Sequence, residues 1–234
     1  MLLLHTKYKF SLRKLSFFLV FGLSFSRAQN NISIFTIKPV VGINVCQMHG
    51  DNAHGFHKFG FNGGILLNTR INQKTSFDFG MVFTQKGARK NQNPTKGDYT
   101  FYRVNLNYIE LPLLLNYKAN ETYFITIGPS IAYLINYQED TERGNWNGVY
   151  PFNKFEFAAN FGLGRKLKKN LLVEVRSTNS FIPVRGYGNG FSTSGIYYPS
   201  TVARFFNKGL YNIILSAYIT YQIDPRKKNE SINP

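Results

Sequence analysis

Along most of this chain, bulky apolar side chains alternate one by one with small or polar ones. Phe59, Phe61, Ile65 and Leu67 share one parity, and Gly60, Asn62, Gly64 and Asn68 share the other. Phe77, Phe79, Met81 and Phe83 oppose Asp78, Gly80 and Thr84 in the same way. Phe155, Phe157, Ala159, Phe161 and Leu163 oppose Glu156, Ala158, Asn160, Gly162 and Gly164. A period of two belongs to a β-strand with unlike faces. Segments of this kind recur around 40–46, 59–68, 77–84, 102–117, 123–136, 155–164, 171–178 and 211–223, which makes eight. Several are longer than the usual strand of about 5–6 residues and suit the roughly 9–11 residues that cross a bilayer at a tilt.

Two architectures use such a pattern. A sandwich buries the bulky face between two sheets and wets the polar one. A membrane barrel turns the bulky face to lipid and the small face inward. The polar face decides. A wetted sheet surface carries many charges, whereas this face is Gly, Asn, Ser and Thr with few charged residues. Small side chains suit the lumen of an eight-stranded barrel, which side chains just fill. Connection lengths agree: 71–74, 118–122 and 166–170 are short, while 48–57, 86–101, 137–153 and 179–207 are long. Strict alternation of short turns and long loops is the habit of outer-membrane barrels. The pattern therefore predicts an all-β fold, an eight-stranded antiparallel transmembrane up-and-down β-barrel over 38–224.

The stretch Asn107–Tyr117, NYIELPLLLNY, tests that reading. It sets Leu111, Leu113, Leu115 and Tyr117 toward lipid and Glu110, Pro112, Leu114 and Asn116 toward the lumen. Upstream, the apolar set Tyr102, Val104, Leu106 and Tyr108 falls on even positions, so a phase slip by a β-bulge is expected near Tyr108–Ile109. A hairpin turning around Asn120 sets Pro112 opposite Gly128 and Leu111 opposite Pro129. Pro112 and Pro129 then form a shared break in the ladder that helps the sheet curl.

Residues 1–28 read as a secretory signal peptide: a front carrying Lys7, Lys9, Arg13 and Lys14, the apolar core Leu15–Phe25, then SRAQ. The core is too short to span a bilayer, which takes about 20 residues. Residues 29–37 are expected to form an N-terminal periplasmic segment, and 225–234 a basic periplasmic tail. With eight strands, both mature termini lie in the periplasm. Cys46 is the only cysteine, which excludes an internal disulfide and reads as an inert thiol. The formal charge of +16 does not point to nucleic acid in an exported chain. Lys74, Lys86, Arg89, Lys90, Lys96, Arg103, Lys118, Arg165, Lys166, Lys168 and Lys169 read as strand-end and loop residues that snorkel to the membrane boundary. They could also meet lipopolysaccharide phosphates, anionic head groups or an acidic periplasmic partner.

LNYIELPLLLNY followed by YFITIGPSIAYL resembles the PorT-like outer-membrane β-barrel proteins of the Bacteroidetes. VVGINV, GGILLN and FDFGMVFTQKGAR resemble that family's earlier strands, so the likeness covers about 38–224. It implies a small barrel in the outer membrane of a Gram-negative bacterium. For some family members it also implies a part in type IX secretion or gliding.

Enzymatic motifs are missing: there is no nucleophile elbow, phosphate loop or paired-cysteine metal site. His49, His54 and His57 with Asp51 crowd one loop and are metal-ligand types, but nothing in the sequence fixes their geometry; solvated loop residues are the plainer reading. Ser180, Ser192 and Ser194 share a loop that those histidines could approach. Asp78, Glu110, Glu174 and Arg176 point to the lumen, as an ion path or as a salt-bridge plug; eight strands favour the plug. The expectation is a non-enzymatic barrel without a cofactor, a structural or accessory component of the outer membrane linked to secretion or gliding. Its partners would be outer-membrane lipid, lipopolysaccharide and proteins of a secretion complex, met through the 86–103 and 180–207 loops. The alternatives are a small porin, a ligand- or lipid-binding barrel, and a membrane-embedded lipid-modifying enzyme.

Overall fold

A computed structural model describes residues 35–51, 55–186 and 208–224. Its strands are β1 (Thr36–His49), β2 (Lys58–Arg70), β3 (Thr75–Lys90), β4 (Tyr102–Lys118), β5 (Tyr123–Thr141), β6 (Gly144–Asn145), β7 (Phe155–Lys166), β8 (Leu171–Ser180), β9 (Arg185–Gly186) and β10 (Gly209–Tyr221). β6 and β9 are two-residue pieces attached to β5 and β10. The other eight pair antiparallel in chain order, and β1 pairs with β10 through Val40↔Thr220 to His49↔Tyr211. The sheet closes on itself, so no long strand has a free edge. The expected leader 1–28 and tail 225–234 lie outside the described residues. β1 begins at Thr36, two residues inside the expected N-terminal segment, and Ile37 bridges to Ile223.

The short turns at one end are made by local chemistry. The Asn72 side-chain oxygen accepts from the Lys74 and Thr75 amides, and Asn120 does the same for Thr122 and Tyr123. Asparagine closes such turns because its side chain mimics a backbone carbonyl. At the opposite end the strands run unequally far. β3 and β5 extend into the segments read above as the loops 86–101 and 137–153, and β4 begins directly after the first of them.

The bulky rows face outward as the alternation requires. Ile43, Phe59, Phe61, Met81, Leu111, Leu113, Ile127, Phe161 and Ile219 are all at least 40% exposed. A contiguous apolar belt this large is not a water-facing surface. Asn44, Asn62, Thr84, Glu110, Leu114, Thr126, Asn160, Arg176 and Ser216 are buried on the inner face. Small residues there make room for large ones: the Tyr218 ring lies against Gly42, and the Phe124 ring lies against Gly164.

Three expectations need correction. β4 keeps one parity from Tyr102 to Asn116, with Val104, Leu106, Tyr108, Glu110, Pro112, Leu114 and Asn116 all buried. The phase slip is in β5: Asn107 faces Asn136 but Tyr108 faces Leu134, so Ile135 is the extra residue. Asn136 therefore lies outside, although alternation carried on from Thr126 would set it inside, and it accepts a hydrogen bond from Asn107 at 2.7 Å. Tyr102, Val104, Leu106 and Tyr108 do not face lipid. They pack inside with Met48, Ala88, Leu134, Phe152, Val184 and Leu210. The apolar residues lie inside at the level where the outer-face partners become Gln85, Asn105, Asn107, Asn136 and Gln138.

The third correction concerns the prolines. Pro112 pairs with Ser130, not Gly128, and Leu111 with Ile131, not Pro129. The β3–β4 ladder skips Leu111 and Pro112, and the β4–β5 ladder skips Leu113 and Leu114. Missing proline donors interrupt pairing on both sides of β4 at nearly one level.

Candidate functional site

The interior holds the polar chemistry, arranged in tiers. Nearest the short turns, Lys38 meets Asp78 at 2.5 Å, and the Asn68 amide donates to the same carboxylate. Higher, Arg176 forks onto Glu174 with two bonds of 2.8 Å and lies over the Tyr218 ring, 4.6 Å from its centroid. Two parallel N–H···O bonds make this the geometrically specific form of an ion pair. An amide and hydroxyl network fills the wall between: Asn44 with Asn62, Thr84 and Ser216, and Asn160 with Ser130 and Thr178.

The next tier centres on Lys86. Its ammonium sits 3.0 Å from Glu110 and 3.1 Å from Glu156, fully enclosed, with the Tyr108 ring 5.2 Å away. Lys86 is not the strand-end residue expected above. It continues the inward parity of Asp78, Gly80, Val82 and Thr84. Beyond the apolar cluster, Arg185 forks onto Glu139 at 2.8 and 2.6 Å, and Tyr102 donates to Glu139 at 3.1 Å. The Arg185 guanidinium caps the Phe152 ring at 3.6 Å. The segment after β8 turns inward to make this lid: Val184 donates to the Leu210 carbonyl, and Asn153 donates to the Val184 carbonyl.

Thus Asp78, Glu110, Glu174 and Arg176 all lie in the interior, but not as one network: Glu174 and Arg176 pair with each other, Asp78 pairs with Lys38, and Glu110 pairs with Lys86. The sequence reading missed Lys38 and Lys86 as counter-charges of Asp78 and Glu110, and missed the separate pair Glu139 and Arg185. Counting parity onward from Thr84 would have found Lys86. Nothing in the sequence marks Glu139 or Arg185, because the β5 bulge breaks the count for one and a loop carries the other.

The loop candidates do not converge. His49 is exposed beside the Tyr211 ring, His57 is exposed, Asp51 is buried, and His54 lies outside the described residues. Among the described residues no three of His, Cys, Asp and Glu gather as a metal site. Ser180 faces the lumen, where its hydroxyl accepts from the Asn212 amide at 2.8 Å. Ser192 and Ser194 lie outside the described residues. Among the described residues every carboxylate of these tiers has a cation within 3.1 Å, with Lys86 shared by Glu110 and Glu156. Such matching is what lets buried charges be tolerated.

Residues 13–185, well over half of the chain, match the family described as outer membrane protein beta-barrel domain. No curated protein matches by sequence. Among solved structures, the attachment invasion locus protein Ail of Yersinia pestis aligns with a TM-score of 0.46 at 10% identity, over 80% of this chain and 98% of that one. Neisserial surface protein A aligns with a TM-score of 0.43 at 13% identity, over 80% of this chain and 96% of that one.

Proposed function

Because this chain belongs to the outer membrane protein beta-barrel domain family, we propose that it is a closed, non-enzymatic scaffold of the outer membrane. In this reading it conducts no ions and works by holding partners at its two ends. The single observation that carries it is the pair of enclosed charge clusters inside the barrel, Lys86 with Glu110 and Glu156 and Arg185 with Glu139, whose side chains occupy the bore. The alternation of short turns and long loops supports both mature termini in the periplasm and the long-loop end outside. The turn-end mouth is a hollow of about 290 Å³ whose lining includes Lys38, Arg70, Lys118, Lys166 and Lys169 against Glu121 and Asp224. That excess of cations suits an acidic periplasmic partner. The likeness of LNYIELPLLLNY to PorT-like proteins supports a place in type IX secretion or gliding.

Two measurements test this. Purified protein in planar bilayers should give no stable conductance; a steady, ion-selective pore would replace the scaffold with a small porin. Deleting the gene should impair protein secretion or gliding while leaving small-dye permeability unchanged. A permeability defect with normal secretion would refute the accessory role.

A further inference from the structure

The outer face of β3, β4 and β5 changes character at a sharp level. Phe83, Ile109 and Tyr133 form an apolar row of register partners. The next three rows are Gln85–Asn107–Asn136, Gly87–Asn105–Gln138 and Arg89–Arg103–Asp140. At about 3.3 Å rise per residue these rows stand roughly 7, 13 and 20 Å along the strands beyond the last apolar one. The β5 bulge makes the change possible, because it sets Asn136 and Gln138 on the outer face beside their β4 partners.

Gln85, Asn107, Asn136, Asn105 and Gln138 of the first two rows floor a hollow of about 680 Å³ on the outside of the barrel, within the roughly 300–1,000 Å³ range of small-ligand sites. Seven of its nine lining residues are Asn or Gln, and one is a cation, Lys58. A merely wetted strand face is rich in charge, and a protein interface is rich in aromatics. Arg89 and Arg103 stand one row beyond, close enough to act on Lys58, so cations gather at one rim while the floor itself is amide. Side-chain amides instead offer a donor and an acceptor together, which matches neighbouring hydroxyls on a sugar ring. Asn107 already bonds Asn136, and Gln138 donates to Asp140 at 2.9 Å. The Gln85 and Asn105 side chains, both half-buried, have no hydrogen-bond partner in the described protein.

We infer that this hollow binds the neutral saccharide head of a glycolipid in the leaflet beside it, with Gln85 and Asn105 as principal contacts. The height fits, since sugars begin where the apolar belt ends, and the hollow faces sideways along the membrane rather than up. The identification of the glycolipid rests on the proposed orientation, with the long-loop end outside; the amide chemistry does not.

The test uses the full mature barrel in nanodiscs. The probe is the core oligosaccharide released by mild acid from the host's own outer-leaflet glycolipid, with its phosphates removed. Titration should shift the side-chain NH₂ resonances of Gln85 and Asn105. Gln85→Ala with Asn105→Ala should weaken binding at least tenfold in a barrel that still folds by circular dichroism, and Lys58→Ala should change it less than threefold. No shift at millimolar probe overturns the site, as does binding only by the phosphate-bearing sugar or loss of binding in Lys58→Ala alone. A separate arm labels Thr95→Cys on intact cells with a membrane-impermeant maleimide. Labelling without sugar binding overturns the site and leaves the orientation standing. Sugar binding without labelling overturns the glycolipid as its source.

Discussion

Replacing Lys86 by methionine keeps the bulk of the side chain and removes one charge. In the structure that charge is shared by Glu110 at 3.0 Å and Glu156 at 3.1 Å, with all three groups enclosed. Removing it leaves two carboxylates facing each other without a cation. Breaking a buried pair on one side costs about 3–5 kcal/mol, and here both acids lose the same partner, so the upper end applies. With a urea slope of about 3 kcal/mol/M, the unfolding midpoint in detergent or lipid should fall by about 1–2 M. A second variant separates charge from packing. Lys86→Met with Glu110→Gln and Glu156→Gln removes the whole charged group and should recover most of the lost stability, as matched apolar or neutral replacements do. Both midpoints are read from reversible urea titrations followed by tyrosine fluorescence and gel mobility. If Lys86→Met unfolds at the same urea concentration as the parent, the tier contributes nothing and the plug reasoning fails. If the triple variant is no better than the single one, packing rather than charge is responsible.

The lid gives a related expectation: Arg185→Ala should cost about 3–5 kcal/mol by stranding Glu139, and amide exchange at Val184 and Leu210 should rise before the wall strands respond. Gly87 has φ 133°, and an added Cβ would lie 2.0 Å from the Val104 carbonyl oxygen. Gly87→Ala should therefore destabilise the β3–β4 hairpin by about 1–3 kcal/mol, visible as a lower melting temperature. In the 94–100 turn, hydrogen bonds from Thr100 and then Lys90 hold the exposed Asp98 carboxyl at about 2. A depressed folded value means the ties are fully present above the ordinary carboxylate range and are lost as pH falls through about 2; the Thr100 amide shift against pH should titrate there and not near 4.

Alternation made the barrel legible because its wall has unlike solvents on its two faces, and residues such as Phe59, Gly60, Phe61 and Asn62 record that difference one by one. It failed where the outer solvent changes. Val104 and Leu106 look like lipid-facing residues until the outer face is known to be Asn105 and Asn107; one parity then carries the strand through. The sequence shows the phase change but not that it falls at Ile135, since a phase change in a hairpin can be absorbed by either arm. Lys86 was hidden by a general habit of lysine, which usually reaches for water; only its partners Glu110 and Glu156, distant in sequence, make an enclosed ammonium tolerable. Arg185 and Glu139 meet across 46 positions of chain, and no local pattern encodes such a pairing.

The account rests on where hydrocarbon touches the wall, and an arginine scan along the outward positions of β4 measures that directly. Arginine is placed singly at Tyr117, Leu115, Leu113, Leu111, Ile109, Asn107 and Asn105, and folding free energy is measured in lipid vesicles. The cost should peak at about 2–4 kcal/mol in the middle of the leucine run, as for arginine at a bilayer midplane, and should fall to near zero at Asn107 and Asn105. A flat profile, or one as steep at Asn105 as at Leu113, would contradict a membrane boundary between Ile109 and Asn107 and with it the barrel's place in the bilayer.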